Sequence, residues 1–231
     1  MSKNFLEKNS VKMGVSPFGS TALKILIVFV LIFFLIGTVN AALTDNLLAY
    51  YKLDESSGNA IDSTTNSFDL TNNNITYSQT GKIGNAYLYN GVDYSTIANT
   101  LGATASGEKT VSLWIKLGST TQTDYIHIAG WDFSSTISNY GYFLQYHPTA
   151  TAGLKIGTFG SASGTIETLA NLGTTDWHHI VFTYDGANTF AYLDGMYKTS
   201  GTFDPISISN FMLGSDNATS NIYLDEIGIW N

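Results

Sequence analysis

DWHHIVFTYDGANTFAYLDG, Asp176 to Gly195, is the stretch that decides the fold. It holds two Asp-Gly pairs, one in YDGANT (Tyr184 to Thr189) and one in LDGM (Leu193 to Met196). Asp-Gly supplies the positive φ angles of a tight hairpin turn. Trp177–Tyr184 therefore pairs with Thr189–Leu193, which turns again into Met196–Thr199. Along the first strand His178, Ile180, Phe182 and Tyr184 share one face, and Trp177, His179, Val181 and Thr183 share the other. Both faces are substantially apolar, which predicts a central strand covered on both sides.

Outward from this hairpin the same pattern repeats. Short alternating apolar runs fall at Leu48–Leu53, Ala86–Tyr89, Ser95–Ile97, Thr110–Leu117, Tyr125–Ala129, Tyr142–Tyr146, Leu154–Thr158, Phe211–Leu213 and Ile222–Trp230. Polar clusters at Asn72–Asn74, Gly118–Gln122, Ser134–Asn139 and Gly160–Gly164 read as loops. No helical period persists for three turns after Leu47. Many short strands at regular spacing predict an all-β, two-sheet antiparallel sandwich. No internal linker or repeat divides residues 47–231, which are expected to form one domain.

Composition excludes several classes. The chain of 231 residues has no Cys, so disulfides and zinc-thiolate sites are ruled out. Lys3, Lys8, Lys12 and Lys24 stand against Glu7 alone in residues 1–24, a basic leader. Beyond it, six Lys and no Arg face seventeen acids. A nucleic-acid partner is excluded, because such a surface cannot displace counterions from phosphate. Anionic membrane surfaces are disfavoured for the same reason.

Residues 25–41 open on twelve consecutive apolar residues, Ile25 to Ile36, and close on the small-residue site Val39-Asn40-Ala41. Basic leader, apolar core and small-residue site form a secretory signal, with cleavage expected after Ala41. The alternative is an uncleaved anchor over Ile25–Leu43, long enough to cross a bilayer as a helix. Under either reading residues 1–24 stay in the cytoplasm, the domain is exported, and membrane contact is confined to this helix. Residues 42–46 are a short linker. KMGVSP, Lys12 to Pro17, also resembles the leaders of archaeal type IV pilins, although Lys24 interrupts the apolar segment that would pack in a pilus.

Five fragments occur in a telling order: LLAYYKLDESSGNAIDS (Leu47 to Ser63), GKIGNAYLYNGVDYSTI (Gly81 to Ile97), TVSLWIKL (Thr110 to Leu117), the Asp176–Gly195 hairpin, and NIYLDEIGIWN (Asn221 to Asn231). Together they resemble the laminin G-like jelly-roll domain of the concanavalin A-like lectin/glucanase superfamily. The resemblance implies two facing antiparallel sheets with the first and last strands adjacent. It also implies recognition of carbohydrate or cell-surface ligands, and calcium in many members.

Glycoside hydrolysis needs two carboxylates across the scissile bond. The E-x-D-x-E run of hydrolases in this superfamily is missing, and Asp225 and Glu226 are adjacent, so in a regular strand they face opposite ways. His178 and His179 lie within an apolar strand and read as structural. No catalytic residue is assigned. Asp225 shares a face with Tyr223, Ile227 and Ile229, so it is expected to point inward, where a carboxylate needs a partner. With no Arg to serve it, a structural Ca²⁺ held by Asp225, Asp62 and Asp54 is the expected solution, and capping of backbone amides or pairing with a Lys is the alternative. Trp131, Asp132, Asn139 and Tyr140 form the expected ligand-binding loop, with rings to stack on sugars and amide and carboxylate groups for hydroxyls. Trp114, Trp177 and Trp230 read as core. Asn74 and Asn217 are N-glycosylation sequons. The expected function is that of an exported, non-catalytic binding module for a glycan or cell-surface protein. A structural or adhesive surface protein anchored by its N-terminal helix is the first alternative, and an atypical glycoside hydrolase the second.

Overall fold

A computed structural model describes residues 42–119, 126–132, 141–147, 153–158, 167–170, 172–202, 208–214 and 220–231. The leader and its cleavage site, Asn139, Tyr140 and Asn217 lie outside them. Every regular element among the described residues is a strand, and no helix there is long and apolar enough to cross a membrane.

In chain order the strands are β1 (Leu47–Tyr51), β2 (Thr71–Asn73), β3 (Thr76–Thr80), β4 (Asn85–Gly91) and β5 (Tyr94–Ile97). There follow β6 (Lys109–Leu117), β7 (Ile126–Trp131), β8 (Tyr142–His147), β9 (Gly153–Thr158) and β10 (Glu167–Ala170). The last are β11 (Trp177–Tyr184), β12 (Asn188–Leu193), β13 (Met196–Thr202), β14 (Phe211–Gly214) and β15 (Ser220–Trp230). They build two antiparallel sheets, a jelly-roll sandwich. One sheet runs β13-β12-β11-β6-β15-β4-β3 with β1 also on β15, and the other runs β10-β9-β8-β7-β14-β5-β2.

β15 is the seam of the larger sheet. One edge pairs with β6 from Ile222 to Trp230. The other edge pairs first with β4, over Ser220–Leu224, and then with β1, over Ile227–Trp230. The first and last strands are thus adjacent. Between the two partners the register slips at Asp225–Glu226, and Glu226 has φ 52. This bulge changes the parity of the strand. Ile222 and Leu224 point into the core before it, and Ile227 and Ile229 after it. Asp225 therefore shares the outward face of Tyr223, not the inward face of Ile227 and Ile229 as strict alternation predicts.

Alternation places the core of the other strands. β6 buries Val111, Leu113, Ile115 and Leu117 and leaves Ser112, Trp114 and Lys116 half-buried outside. β11 buries Ile180, Phe182 and Tyr184. Its second face, expected to be covered, is half-buried at Trp177, His179, Val181 and Thr183. The smaller sheet differs. Its outward Phe143 and Met212 pack together, with Tyr94 against them, and Gln145 and His127 are buried as well.

The tryptophans exchange their expected places. Trp131, expected to stack on sugar, is fully buried. Its ring meets Phe211 edge-on at 5.1 Å and stacks on Tyr142 at 6.4 Å, and its Nε1 donates to the Thr100 carbonyl at 3.0 Å. Trp114, Trp177 and Trp230, expected inside, are half-buried on the outward face. Trp230 lies over Gly228, where a Cβ would come within 2.2 Å of its ring, so only glycine fits. β2, β3 and β10 escape sequence reading, and Asn72–Asn73 belongs to β2 where a loop is expected.

Removing the Trp131 ring leaves a cavity at the centre of the sandwich. Trp131→Ala is expected to cost about 3–5 kcal/mol and Trp177→Ala less than about 2 kcal/mol. Denaturant midpoints check this, and equal losses would contradict the assignment of inside and outside.

Candidate functional site

The site lies on the outward face of the larger sheet, where β11, β6 and β15 run side by side. Register sets its layout. Trp177 stands opposite Lys116, which stands opposite Tyr223. Two residues along, His179 stands opposite Trp114, which stands opposite Asp225. Cross-strand neighbours on one face are close enough for large side chains to touch.

They do touch. The Lys116 ammonium sits 4.0 Å from the Tyr223 ring centroid and 5.2 Å from that of Trp177. Trp177 and Tyr223 meet edge to face at 6.5 Å. The Trp114 and His179 rings are 5.0 Å apart, and Lys82 Nζ lies 4.3 Å from the Trp114 ring. His179 Nε2 is 2.8 Å from Ser112 Oγ. Burial holds the His179 imidazole below its ordinary range, against the opposing pull of Asp194. Asp194 in turn accepts from the His179 backbone amide at 2.9 Å and pairs with His178 Nδ1 at 2.9 Å. His178 Nε2 lies 3.1 Å from Thr174 Oγ1, so both histidine rings are hydrogen-bonded.

Lys82 reaches this face from the turn Gly81–Asn85, which closes over Asp225. The turn is built around two carboxylates. Asp225 Oδ2 accepts from the amides of Lys82 at 2.6 Å and Ile83 at 2.9 Å, and Asp54 Oδ1 accepts from Asn85 at 2.7 Å. Gly84 has φ 62, and a Cβ there would lie 2.5 Å from Asp54 Oδ1. Asp225 is fully buried, and its Oδ1 has no hydrogen-bond partner among the described residues. Burial pushes its carboxyl up to about 6, the amides oppose this, and Asp54 adds to it.

Amide capping therefore satisfies one Asp225 oxygen. Asp62, expected beside it, has both oxygens engaged elsewhere. Its Oδ1 accepts from the amides of Tyr50 at 3.0 Å and Thr64 at 2.9 Å, and its Oδ2 from Phe68 at 3.0 Å and from Thr64 Oγ1 at 2.8 Å. Among the described residues no three acidic or histidine side chains are grouped to hold a metal. Asp225, Asp62 and Asp54 as a set do not fit calcium.

Asp132, expected on the ligand loop, is also buried, and it accepts from Ser209 Oγ at 2.5 Å and the Asn210 amide at 3.3 Å. Asn74 is exposed at φ 59 in the turn between β2 and β3. An open depression of about 310 Å³, lined by Gly102, Ala103, Thr104, Gly107, Glu108 and Asn231, carries no aromatic ring. Sequence reading misses Trp114, Trp177, Tyr223, Lys116 and Lys82 as a unit. The signal that joins them is cross-strand register.

Residues 89–231 match the family described as the concanavalin A-like lectin/glucanases superfamily, and the chain belongs to it. Among solved structures it is similar to domain 4 of AbnA, an extracellular arabinanase from Geobacillus stearothermophilus, in complex with arabinotriose. Identity is 25%, the TM-score is 0.64, and the match covers 80% of this chain and 92% of that one. The Trypanosoma rangeli sialidase is similar at 14% identity and TM-score 0.62, over 81% of this chain and 30% of that one. The binding domain of botulinum neurotoxin serotype D is similar at 15% identity and TM-score 0.59, over 80% of this chain and 48% of that one. This chain therefore spans less than half of those last two, and their likeness is one of fold. No curated protein matches.

Asp225 makes stability depend on pH. Its carboxyl stands at about 6 in the folded protein against an ordinary 3.8, so the folded state holds the proton more tightly. The stability this gives is complete below the ordinary value and is lost as pH rises through about 6. Asp225→Asn keeps an acceptor for the two amides and removes the titration. The melting midpoint of the wild type relative to this variant is expected to fall between about pH 4 and 7. A difference that stays flat across that window would contradict the buried carboxyl.

Proposed function

We propose that this chain is an exported, non-catalytic glycan-binding module whose contact surface is the aromatic outward face of the larger sheet. One observation carries the reading: Trp114, Trp177 and Tyr223, on three neighbouring strands, are half-buried on one face of a sheet whose core lies on the other side. Aromatic faces stack on the apolar faces of sugar rings, and nearby polar groups meet the hydroxyls. Ser112 Oγ and the His179 imidazole supply such groups here. Membership of a family that includes lectins supports this reading, and so does a similar arabinanase domain holding arabinotriose. The basic leader and apolar run of residues 1–41 support export, to where glycans are met.

The Ser112–His179 contact invites a nucleophilic reading, which its setting disfavours. Acyl transfer needs donors aimed at a developing oxyanion. Ser112 lies within β6, paired on one side to Val181 and on the other to Gly228, so the neighbouring amides serve the ladders.

Screening the protein on a glycan array is expected to give saturable binding. Trp177→Ala and Tyr223→Ala should each weaken it by about 1 kcal/mol, roughly fivefold, with the melting midpoint nearly kept. Binding that survives both substitutions would move the site off this face.

A further inference from the structure

Charge on this face runs against the rest of the domain. Beyond the leader, acids outnumber lysines seventeen to six, yet two of those six, Lys82 and Lys116, gather on the aromatic face. Among the described residues neither has a carboxylate within 4.0 Å, where His178–Asp194 is the ion pair present. Both ammonium groups rest on ring faces, at 4.3 Å on Trp114 and 4.0 Å on Tyr223. Among the described residues they are cations held in place without an ion-pair partner. The acid opposite Trp114, Asp225, is fully buried, with one oxygen turned to the amides of the turn that carries Lys82. The surface thus presents rings and positive charge together. A neutral sugar needs only the rings, whereas an anionic sugar matches both.

Resting on the glycan-binding reading, we infer that the ligand is an anionic oligosaccharide, its sugar rings on Trp177, Tyr223 and Trp114 and its acidic groups on Lys116 and Lys82. The charge is a carboxylate of an acidic sugar or a sulfate ester, and either is recognised by an ammonium held between rings. The acidic remainder of the domain repels the same ligand elsewhere and confines it to this face. Binding weakens with salt as the charges are screened. Lys116 is the specificity-determining residue, since it lies between two of the three rings.

Calorimetric titration of the full chain with three probes tests this: an oligogalacturonate, a sulfated chondroitin oligosaccharide and a neutral arabino-oligosaccharide. Anionic probes are expected to bind at least tenfold tighter than the neutral one at low salt, and to lose most of that margin at high salt. Lys116→Gln should abolish the preference for the anionic probes, while Trp177→Ala weakens all three. Preference for the uronate or for the sulfate ester supports the inference and names the source of the charge. Equal binding of all three, unchanged by Lys116→Gln, would overturn the anionic inference and leave glycan binding standing. If none of the three bound, with the melting profile of the protein intact, the inference and the reading beneath it would fall together.

Discussion

The larger sheet depends on the irregularity in β15. Three strands pair with this one, and two of them, β4 and β1, share a single edge. A strand that continued in strict alternation through Asp225 and Glu226 would turn Ile227 and Ile229 toward solvent. The extra residue at the bulge restores them to the core. Asp225, just before the bulge, stays on the outer side with Tyr223, where the Gly81–Asn85 turn folds over it and donates two amides. Closure of the sheet by its first strand and burial of the last core residues follow from that local change of parity.

The outer face inherits its layout from the same strand. Tyr223 precedes the bulge, so its register with Lys116, and through Lys116 with Trp177, is that of an undisturbed ladder. After the bulge Gly228 takes the outward position, and its missing side chain lets the Trp230 ring close against the backbone there. Trp230 Nε1 then donates to the Leu43 carbonyl at 2.7 Å, tying down the entry to the domain. Tyr223, before the bulge, faces outward as part of the surface, and Trp230, after it, packs the entry to the domain.

Most strands were legible because alternation and Asp-Gly turns are local signals. β6 carries period two along its whole length, and the hairpins after Tyr184 and Leu193 are written in the turn residues. The unread strands had no such signal. β2 is Thr-Asn-Asn and β3 is Thr-Tyr-Ser-Gln-Thr, and both lie at sheet edges, where pairing with a neighbour decides the conformation. Alternation also separates two faces without naming the inner one. On β11 both faces are apolar, so Trp177 could be read as core. Trp131 follows a glycine at the end of β7, beside polar residues, so it could be read as a loop platform. Its burial depends on Tyr142 and Phe211, which are far away in sequence. The site was illegible for the same reason: Trp114, Trp177 and Tyr223 are neighbours only once the register of three distant strands is fixed.

Two lysines of β6, Lys109 and Lys116, both rest on aromatic rings but to different ends. Lys109 is buried, its Nζ 4.2 Å from the Tyr184 centroid and 5.7 Å from that of Tyr142. Burial pushes its amine down to about 8, and it donates hydrogen bonds to the carbonyls of Ala105 at 3.0 Å and Gly107 at 2.6 Å. The charge there fastens the approach to β6 onto the core. Lys116 makes the same kind of ring contact seven residues along the same strand, but on the opposite face, so its ammonium stays within reach of solvent. A cation over a ring gains about 0.5–1 kcal/mol at an exposed site and about 2 kcal/mol or more when desolvated. The buried lysine is therefore held by the protein alone. The outer one keeps most of its capacity for a partner, and that difference separates a structural cation from one poised to bind.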